Sequence, residues 1–162
     1  MELANFNEAF LKEIDQKHPY DLVVLQYGPN LLFKGELTDF SWYQKKMEPI
    51  LKKLKADFPQ TDFLLVSTAD KGYRYGGEWQ TQKGVEPLID AQYDMASASQ
   101  MDFFNLYHAM GGNGQMINWV NAKPSLANKD YTHVNSRGAT AIAELIYTAI
   151  INEYNAYSKT HH

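Results

Sequence analysis

Cysteine is absent from the 162 residues of this chain, so neither a disulfide framework nor thiolate chemistry is open to it. Positive charge is also scarce, because 15 basic residues stand against 19 acidic ones and leave a net charge of -4. This balance provides no electrostatic attraction for the phosphates of a nucleic acid or for an anionic membrane. The sequence also lacks a run of about 18 apolar residues that would cross a bilayer. We therefore predict neither a nucleic-acid partner nor insertion into a membrane.

Metal-binding and cofactor-binding patterns are missing as well. His18 and His108 have no further ligand residues at metal spacing. The glycine-rich stretch Gly111–Gly114 is not followed by the Lys-Ser or Lys-Thr pair of a phosphate-binding loop. We predict no metal site and no cofactor. His161 and His162 are left out of the functional argument, because a natural terminus and the remnant of a purification tag would look the same.

The size and composition of the chain favour a single core. With 44% hydrophobic and 14% aromatic residues, the sequence is long enough for one sizeable core and too short for two ordinary domains. We interpret residues 1–162 as one domain or as a portion of one. Met1–Asn5 has neither the basic region nor the apolar region of a signal peptide, so the sequence does not locate the protein in the cell.

Apolar runs alternate with helical patterns along the chain. The runs predict three buried strands, and apolar spacings of three and four residues predict four helices. The strands are expected at 22–26, 63–67 and 101–106, and the helices at about 5–17, 40–58 with a kink near Pro49, 85–99, and from Asn135 or Ser136 onward. A capping box of Asn5 and Glu8 should begin the first helix. The alternation predicts an open parallel α/β sheet, with strand 22–26 at its centre.

The first candidate for chemistry is the pair Asp130 and His133, which precedes the last helix. A carboxylate three residues before a histidine in a tight loop can accept the Nδ1 proton, which leaves Nε2 facing outward as a general base. Asn135 and Gly138 follow at the start of the helix. The alternative is structural, with Asp130 capping a turn and His133 packing under the helix.

The second candidate lies at the end of strand 22–26, where the chain reads Gln26-Tyr27-Gly28-Pro29-Asn30. Parallel α/β sheets bind ligands at the carboxyl ends of their strands, and an asparagine amide there can donate to an oxyanion. We expect Asn30 and Gly28 to form an oxyanion site. The alternative is an ordinary turn, since glycine, proline and asparagine all favour turns for independent reasons.

Together these two patterns resemble the third and fifth conserved blocks of the SGNH hydrolases, also called GDSL-type esterases. The resemblance covers nearly the whole chain in order and spacing. It implies a three-layer, flavodoxin-like fold in which His133 is the base, Asp130 orients it, and Asn30 is an oxyanion donor. It also implies an acyl ester substrate, typically an acetyl group on a carbohydrate, as in polysaccharide and peptidoglycan O-acetylesterases. A periplasmic or extracellular location would follow for a fragment of a longer secreted protein.

This sequence departs from the family's pattern in two places. Leu31 follows Asn30 where an aspartate is common, and the Gly-Asp-Ser block with the nucleophile is nowhere in the chain. Ser67 ends a strand at the same sheet edge but lacks the sharp elbow that presents a nucleophile. We therefore expect the C-terminal half of such a domain, without the first two strands and inactive alone. Strand 22–26 should then leave an open edge through which chains self-associate.

The long segment 69–83 provides the rival hypothesis. It is rich in glycine and aromatic residues, and Tyr75, Trp79 and Arg74 could form a wall against sugar rings. Such a wall would serve an esterase, or it would make the chain a non-catalytic glycan-binding module. Aromatic side chains that merely fold the loop back onto the domain are an equally good interpretation. A nucleotide-binding or receiver domain of flavodoxin type ranks last, because no phosphate loop or acidic cluster follows the strands.

Overall fold

The structure is a computed structural model and describes residues 7–160. Helices and strands alternate through most of this range, and a single 3-10 turn follows the first strand. In chain order they are α1 (Glu8–Lys17), β1 (Leu22–Gln26), the 3-10 turn (Pro29–Leu31), α2 (Ser41–Asp57), β2 (Asp62–Val66), β3 (Gly72–Tyr75), β4 (Glu78–Thr81), α3 (Val85–Ala98), β5 (Asp102–Phe104), α4 (Leu106–Met110), α5 (Gln115–Asn121) and α6 (Ser136–Thr160).

Three of the strands form a parallel sheet in the order β1-β2-β5. Val24 lies opposite Leu64, and Leu65 lies opposite Phe103. Helix α2 connects β1 to β2 and helix α3 follows before β5, as parallel pairing requires. The predicted α/β class with a parallel sheet is confirmed.

Strand β2 is buried on both faces because helices cover the two sides of the sheet. Leu65 belongs to a core cluster with residues of α1, α2 and α3, whereas Val66 belongs to a second cluster with residues of α4, α5 and α6. Successive side chains of a strand point to opposite faces, so adjacent residues of β2 serve different cores. The result is a three-layer arrangement with β2 at its centre.

Strand β1 lies at the edge of the sheet as described, so the prediction that it is the central strand is wrong here. Val23 and Leu25 pack against the first core cluster. Leu22 and Val24, which point to the other face, remain 37% and 46% exposed. The apolar run does form a strand, as predicted. Within residues 7–160, however, this strand pairs with β2 alone.

Two segments expected to be loops contain regular structure. Segment 69–83 forms the antiparallel hairpin of β3 and β4, whose turn contains Gly76 and Gly77, both at positive φ. Segment 107–129, in which neither a strand nor a helix was predicted, contains α5 and most of α4. Both differences arise in short elements, whose patterns are too brief to stand out in the sequence.

The helix boundaries agree with the predictions in part. Asn7 caps α1 by accepting from the Ala9 N–H, while the predicted capping box on Asn5 lies outside the described residues. Helix α2 runs through Pro49 without a break in its span. Asn135 begins α6 as predicted, because its Oδ1 accepts from the backbone N–H groups of Arg137 and Gly138. None of the helices in the described range is long and apolar enough to cross a membrane.

The carboxyl ends of β1 and β2 are joined by a buried glutamine. Gln92 of α3 donates from Nε2 to the Tyr27 carbonyl and accepts at Oε1 from the Thr68 N–H, both at 2.9 Å. The Gln92 side chain is fully buried, and the Thr68 N–H that it binds is buried as well. Gln92 therefore fixes the spacing of the two strand ends.

Replacing this glutamine tests its role. We expect Gln92→Leu to lower the free energy of unfolding by about 1–3 kcal/mol, because the buried Thr68 N–H and the partly buried Tyr27 carbonyl lose their partner. Urea denaturation followed by circular dichroism measures the change. Gln80→Leu, at an exposed position of β4, is the matched control and should alter stability by less than about 0.5 kcal/mol. Equal effects of the two substitutions would contradict the assignment.

The exposed edge of β1 generates a second prediction. We expect the chain to self-associate at high concentration, because an apolar edge strand offers unpaired backbone groups to another strand. Lysine is a residue that edge strands use against such pairing, so Val24→Lys should shift the protein toward monomer in sedimentation velocity. Tyr154→Lys, which places lysine at an exposed position of α6, is the control. A wild-type chain that stays monomeric at high concentration would refute the prediction.

Candidate active site

The loop before α6 brings Asp130 and His133 into direct contact. Nδ1 of His133 lies 2.8 Å from Oδ2 of Asp130. The other carboxylate oxygen accepts the backbone N–H groups of Thr132 and His133, each at 2.9 Å. One carboxylate therefore fixes both the backbone of the loop and the orientation of the imidazole ring.

The charge of Asp130 is stabilised by these contacts. Its partial burial would by itself raise the pKa of the carboxyl. The hydrogen bonds from His133 and Thr132 outweigh that effect and hold the pKa below its ordinary value. Asp130 is thus ionised at neutral pH and accepts the Nδ1 proton.

The ring of His133 is accessible. Its side chain is 69% exposed, and that of Asp130 is 50% exposed, so the pair lies at the surface and is not packed under the last helix. Because Nδ1 is engaged by the carboxylate, Nε2 is the nitrogen that can exchange a proton with a reacting group. The arrangement is chemically suited to general base catalysis.

The loop owes its shape to a few close contacts. Asn128 donates its N–H to the His133 carbonyl at 2.8 Å, and Tyr131 adopts a left-handed conformation with φ of 56°. Gly138 has no room for a side chain, since a Cβ there would lie 2.1 Å from the Leu126 carbonyl oxygen. Asn135 also donates from Nδ2 to the Ser125 carbonyl. Through these contacts the start of α6 packs closely against the loop.

Asn30 lies in the 3-10 turn that follows β1 and is exposed. Gly28, two residues before Asn30 in the chain, is buried against the residues that follow β2. A Cβ on Gly28 would lie 2.4 Å from the Cβ of Thr68, so only glycine allows the turn to approach so closely. The structure therefore places Gly28 inside the fold and Asn30 at its rim.

The β3–β4 hairpin packs one of its faces on the Asp130–His133 loop. The Gly72 N–H donates to the Tyr131 carbonyl at 2.7 Å, and a Cβ on Gly72 would lie 2.7 Å from that of Tyr131. Trp79, on the same face of the hairpin, stacks on the Tyr131 ring with centroids 3.8 Å apart and an angle of 14° between the planes. This contact supports the loop that carries the His133 ring.

The opposite face of the hairpin packs on the loop that carries Asn30. A Cβ on Gly35 would lie 2.4 Å from the Tyr73 ring, and the Tyr75 hydroxyl donates to the Gly35 carbonyl. Lys83, just after the hairpin, forms an ion pair with Glu36 at 2.8 Å. The hairpin thus lies between the two loops that carry the candidate site residues.

The three residues expected to form a substrate wall differ in their surroundings. Trp79 is 38% exposed and lies against the Asp130–His133 loop. The Tyr75 hydroxyl is engaged by Gly35 and by the Lys83 N–H, and Arg74 donates from Nε to the Gly77 carbonyl at 2.7 Å. Of these three residues, Trp79 is therefore the one that contacts the Asp130–His133 loop and also keeps part of its ring exposed.

Ser67 is excluded as a surface nucleophile by its surroundings. The residue is fully buried, its hydroxyl donates to the Thr68 carbonyl at 2.9 Å, and it accepts from the Leu106 N–H at the same distance. Its role is to join β2 to the start of α4. Among residues 7–160, no group of three or more His, Asp and Glu side chains is arranged to hold a metal ion.

Several contributors to this site carry no sequence pattern that would have revealed them. Tyr131, Thr68 and Gln92 act through partners that are distant in sequence, and each sits in a segment with another evident role. Tyr131 alone had a weak signal, as an aromatic residue between Asp130 and His133.

Comparison with known proteins supports the fold. No protein-family model matches the sequence, and no curated protein matches it. A solved structure of a peptidoglycan O-acetylesterase superposes with a TM-score of 0.81 at 21% sequence identity. The alignment covers 96% of this chain and 43% of that one, so the chain spans less than half of the esterase's length. The chain has the SGNH-like α/β fold of the matching part of that protein.

The Asp130 contacts generate a pH-dependent prediction. A carboxyl whose pKa is lowered in the folded state contributes stability above its unfolded pKa of about 3.9, and that contribution is lost as the pH falls through the folded value. We expect the NMR amide signals of Thr132 and His133 to move over this acidic range, and Asp130→Asn to abolish the movement.

Asp39 provides the matched control. It also accepts a backbone N–H, that of Ser41, and its pKa is likewise lowered. Asp39→Asn should leave the titration of the Thr132 and His133 signals unchanged. If Asp130→Asn preserves that titration, the carboxylate does not hold the loop.

Proposed function

We propose that this chain supplies the histidine, the aspartate and the oxyanion-binding asparagine of a serine esterase site. The proposed substrate is a small acyl ester, an acetyl ester of a carbohydrate, and the nucleophilic serine comes from outside the chain. The observation that carries the proposal is the 2.8 Å contact between Nδ1 of the exposed His133 and the Asp130 carboxylate.

His133 acts as base and then as acid in this mechanism. Its Nε2 takes the proton of the serine hydroxyl while the serine oxygen attacks the ester carbonyl, and it returns the proton to the departing alcohol. A water molecule, deprotonated by the same nitrogen, then releases the acid from the acyl-enzyme and restores the serine. Asp130 keeps Nδ1 protonated throughout and stabilises the imidazolium that forms in each step.

Asn30 stabilises the negative charge on the carbonyl oxygen. Its side-chain amide is exposed at the carboxyl end of β1, where ligands bind in open α/β sheets. Gly28 contributes by allowing the turn to approach Thr68, which sets the position of Asn30. Loss of one such donor costs on the order of a hundred- to a thousandfold in rate.

Three observations favour a nucleophile outside the chain. Its 162 residues contain no Gly-Asp-Ser block, and Ser67 is buried and fully engaged. The edge of β1 is open in the described range, with Val24 half exposed. The similar O-acetylesterase is more than twice as long as the part that this chain matches.

The carbohydrate preference rests on the similarity and on Trp79. The protein with the same fold is an esterase of peptidoglycan, which is a glycan polymer. Trp79 lies beside the Asp130–His133 loop with part of its ring exposed. Aromatic rings offer flat apolar surface with specific geometry, which suits the C–H faces of sugar rings.

An esterase assay tests the proposal. We expect the purified 162-residue chain to hydrolyse p-nitrophenyl acetate no faster than buffer. The coding region immediately upstream of Met1 should encode a Gly-Asp-Ser segment, and expressing it together with this chain should produce activity. In that complete protein, His133→Ala should reduce kcat/KM by about a hundred- to ten-thousandfold.

Two controls make this assay decisive. His108→Ala removes another exposed histidine, from α4, and should retain activity. A serine-directed fluorophosphonate should label the complete protein at the serine of the upstream block and should leave the isolated chain unlabelled. Full turnover by the isolated chain, abolished by His133→Ala, would instead place the nucleophile within these residues.

A glycan-binding module without catalysis is the second candidate, favoured by the partly exposed Trp79 stacked on Tyr131. Titration calorimetry together with a turnover assay on an O-acetylated peptidoglycan fragment separates the two functions. In the esterase, Trp79→Ala weakens binding about tenfold, whereas His133→Ala removes turnover and preserves binding. In the module, Trp79→Ala has the same effect on binding, but the complete protein never turns over the fragment.

A further inference from the structure

Lys71 joins the two halves of the candidate site. Its Nζ donates to the carbonyl of Leu32 at 2.7 Å and to that of Pro29 at 3.3 Å. These carbonyls stand on either side of Asn30 in the chain. The ammonium group therefore bridges two carbonyls of the turn. It fixes the backbone that carries the Asn30 side chain.

The backbone of Lys71 is held by Asp70. Its backbone N–H donates to Oδ1 of Asp70 at 2.8 Å. Asp70 is buried and also accepts from the Thr81 hydroxyl and the Met116 N–H, so it is anchored to the hairpin and to α5. The backbone of Lys71 is therefore fixed, and its ammonium group bonds to the turn from this fixed position.

Lys71 also lies within electrostatic reach of Asp130. Burial lowers the pKa of the Lys71 ammonium, and the negative charge of Asp130 opposes that effect. The next residue, Gly72, bonds through its N–H to the carbonyl of Tyr131 at 2.7 Å, which places the backbone of Lys71 beside the Asp130 loop. Lys71 thus bonds to the Asn30 turn through its side chain, and its backbone lies beside the loop that carries Asp130.

From these contacts we infer that Lys71 is a positioning residue, which sets the Asn30 amide relative to the Asp130–His133 pair. Its use in catalysis rests on the proposed esterase function, whereas the coupling itself is a property of the folded chain. A lysine suits this position because its compact ammonium carries three donors, two of which are used by the carbonyls of Pro29 and Leu32.

Substitution of Lys71 tests the coupling without any assay of catalysis. We expect Lys71→Met to shift the NMR signals of the Asn30 side-chain amide and to raise the pKa of Asp130, followed through its carboxyl carbon, because a nearby positive charge is lost. Lys71→Arg should restore the titration of Asp130. Lys83→Met, which removes an exposed ammonium paired with Glu36, should change neither signal.

A second variant separates charge from hydrogen bonding and serves if Lys71→Met fails to fold. Lys71→Gln keeps a donor for the carbonyls and removes the charge, so it should raise the pKa of Asp130 and disturb the Asn30 amide less. An Asp130 titration that is unchanged in Lys71→Gln, or changed equally in Lys83→Met, would overturn the inference.

Kinetics of the complete protein provide the functional measurement. Misplacing an oxyanion donor weakens binding of the transition state more than binding of the substrate, so Lys71→Met should lower kcat about ten- to a hundredfold and change KM less than about threefold. A raised KM with unchanged kcat would refute positioning. Intact NMR coupling in a protein without esterase activity would refute the proposed function and leave the coupling standing.

Discussion

Four polar residues just after β2, within the segment from Ser67 to Lys71, hold the candidate site together. Each of the four engages a different part of the fold. Ser67 bonds to the start of α4, Thr68 accepts the close approach of Gly28 and bonds to Gln92, Asp70 binds the hairpin and α5, and Lys71 binds the Asn30 turn. The site residues themselves lie on other loops, which take their positions from this buried segment.

These polar groups can be buried without a large loss of stability only because each one has a hydrogen-bond partner. Ser67, Thr68 and Asp70 are almost completely inaccessible. Ser67 and Thr68 both donate and accept, and the Asp70 carboxylate accepts from the Lys71 N–H, the Thr81 hydroxyl and the Met116 N–H. Unpaired, each would cost about 1–3 kcal/mol. Any other arrangement of these buried groups would leave some of them without hydrogen-bond partners. The network therefore specifies one position for each loop that it holds.

The local and periodic features of this protein were predictable from its sequence. The Asp130–His133 contact spans three residues and depends on the backbone of one tight loop, so residue types and spacing were enough. Strand β1 and helix α6 have apolar patterns long enough to be recognised. The missing family block led us to expect an open edge at β1, whereas the exposure of the Leu22 and Val24 side chains was not predictable, because burial of a side chain depends on what packs over it.

The parts that sequence did not predict depend on contacts between distant residues. The hairpin of β3 and β4 has aromatic side chains on both faces, since each face packs on a different loop, and no alternation of polar and apolar residues marks it as a strand. Lys71 and Gln92 bond to carbonyls that are about 40 and 65 residues away in sequence. Only the folded arrangement brings such partners together.

The open edge of β1 and the proposed origin of the nucleophile outside the chain are compatible with one geometry. Parallel strands of a sheet end on the same side, so a strand added in parallel outside β1 would end beside Gly28 and Asn30. A serine just after that strand would lie at the rim that carries Asn30, the proposed oxyanion donor. Residues that cover Leu22 and Val24 would therefore also complete the chemistry, and the exposure of His133 would be reduced by the substrate and by the loop that carries the serine. Stability and catalysis would then be gained in the same step of assembly.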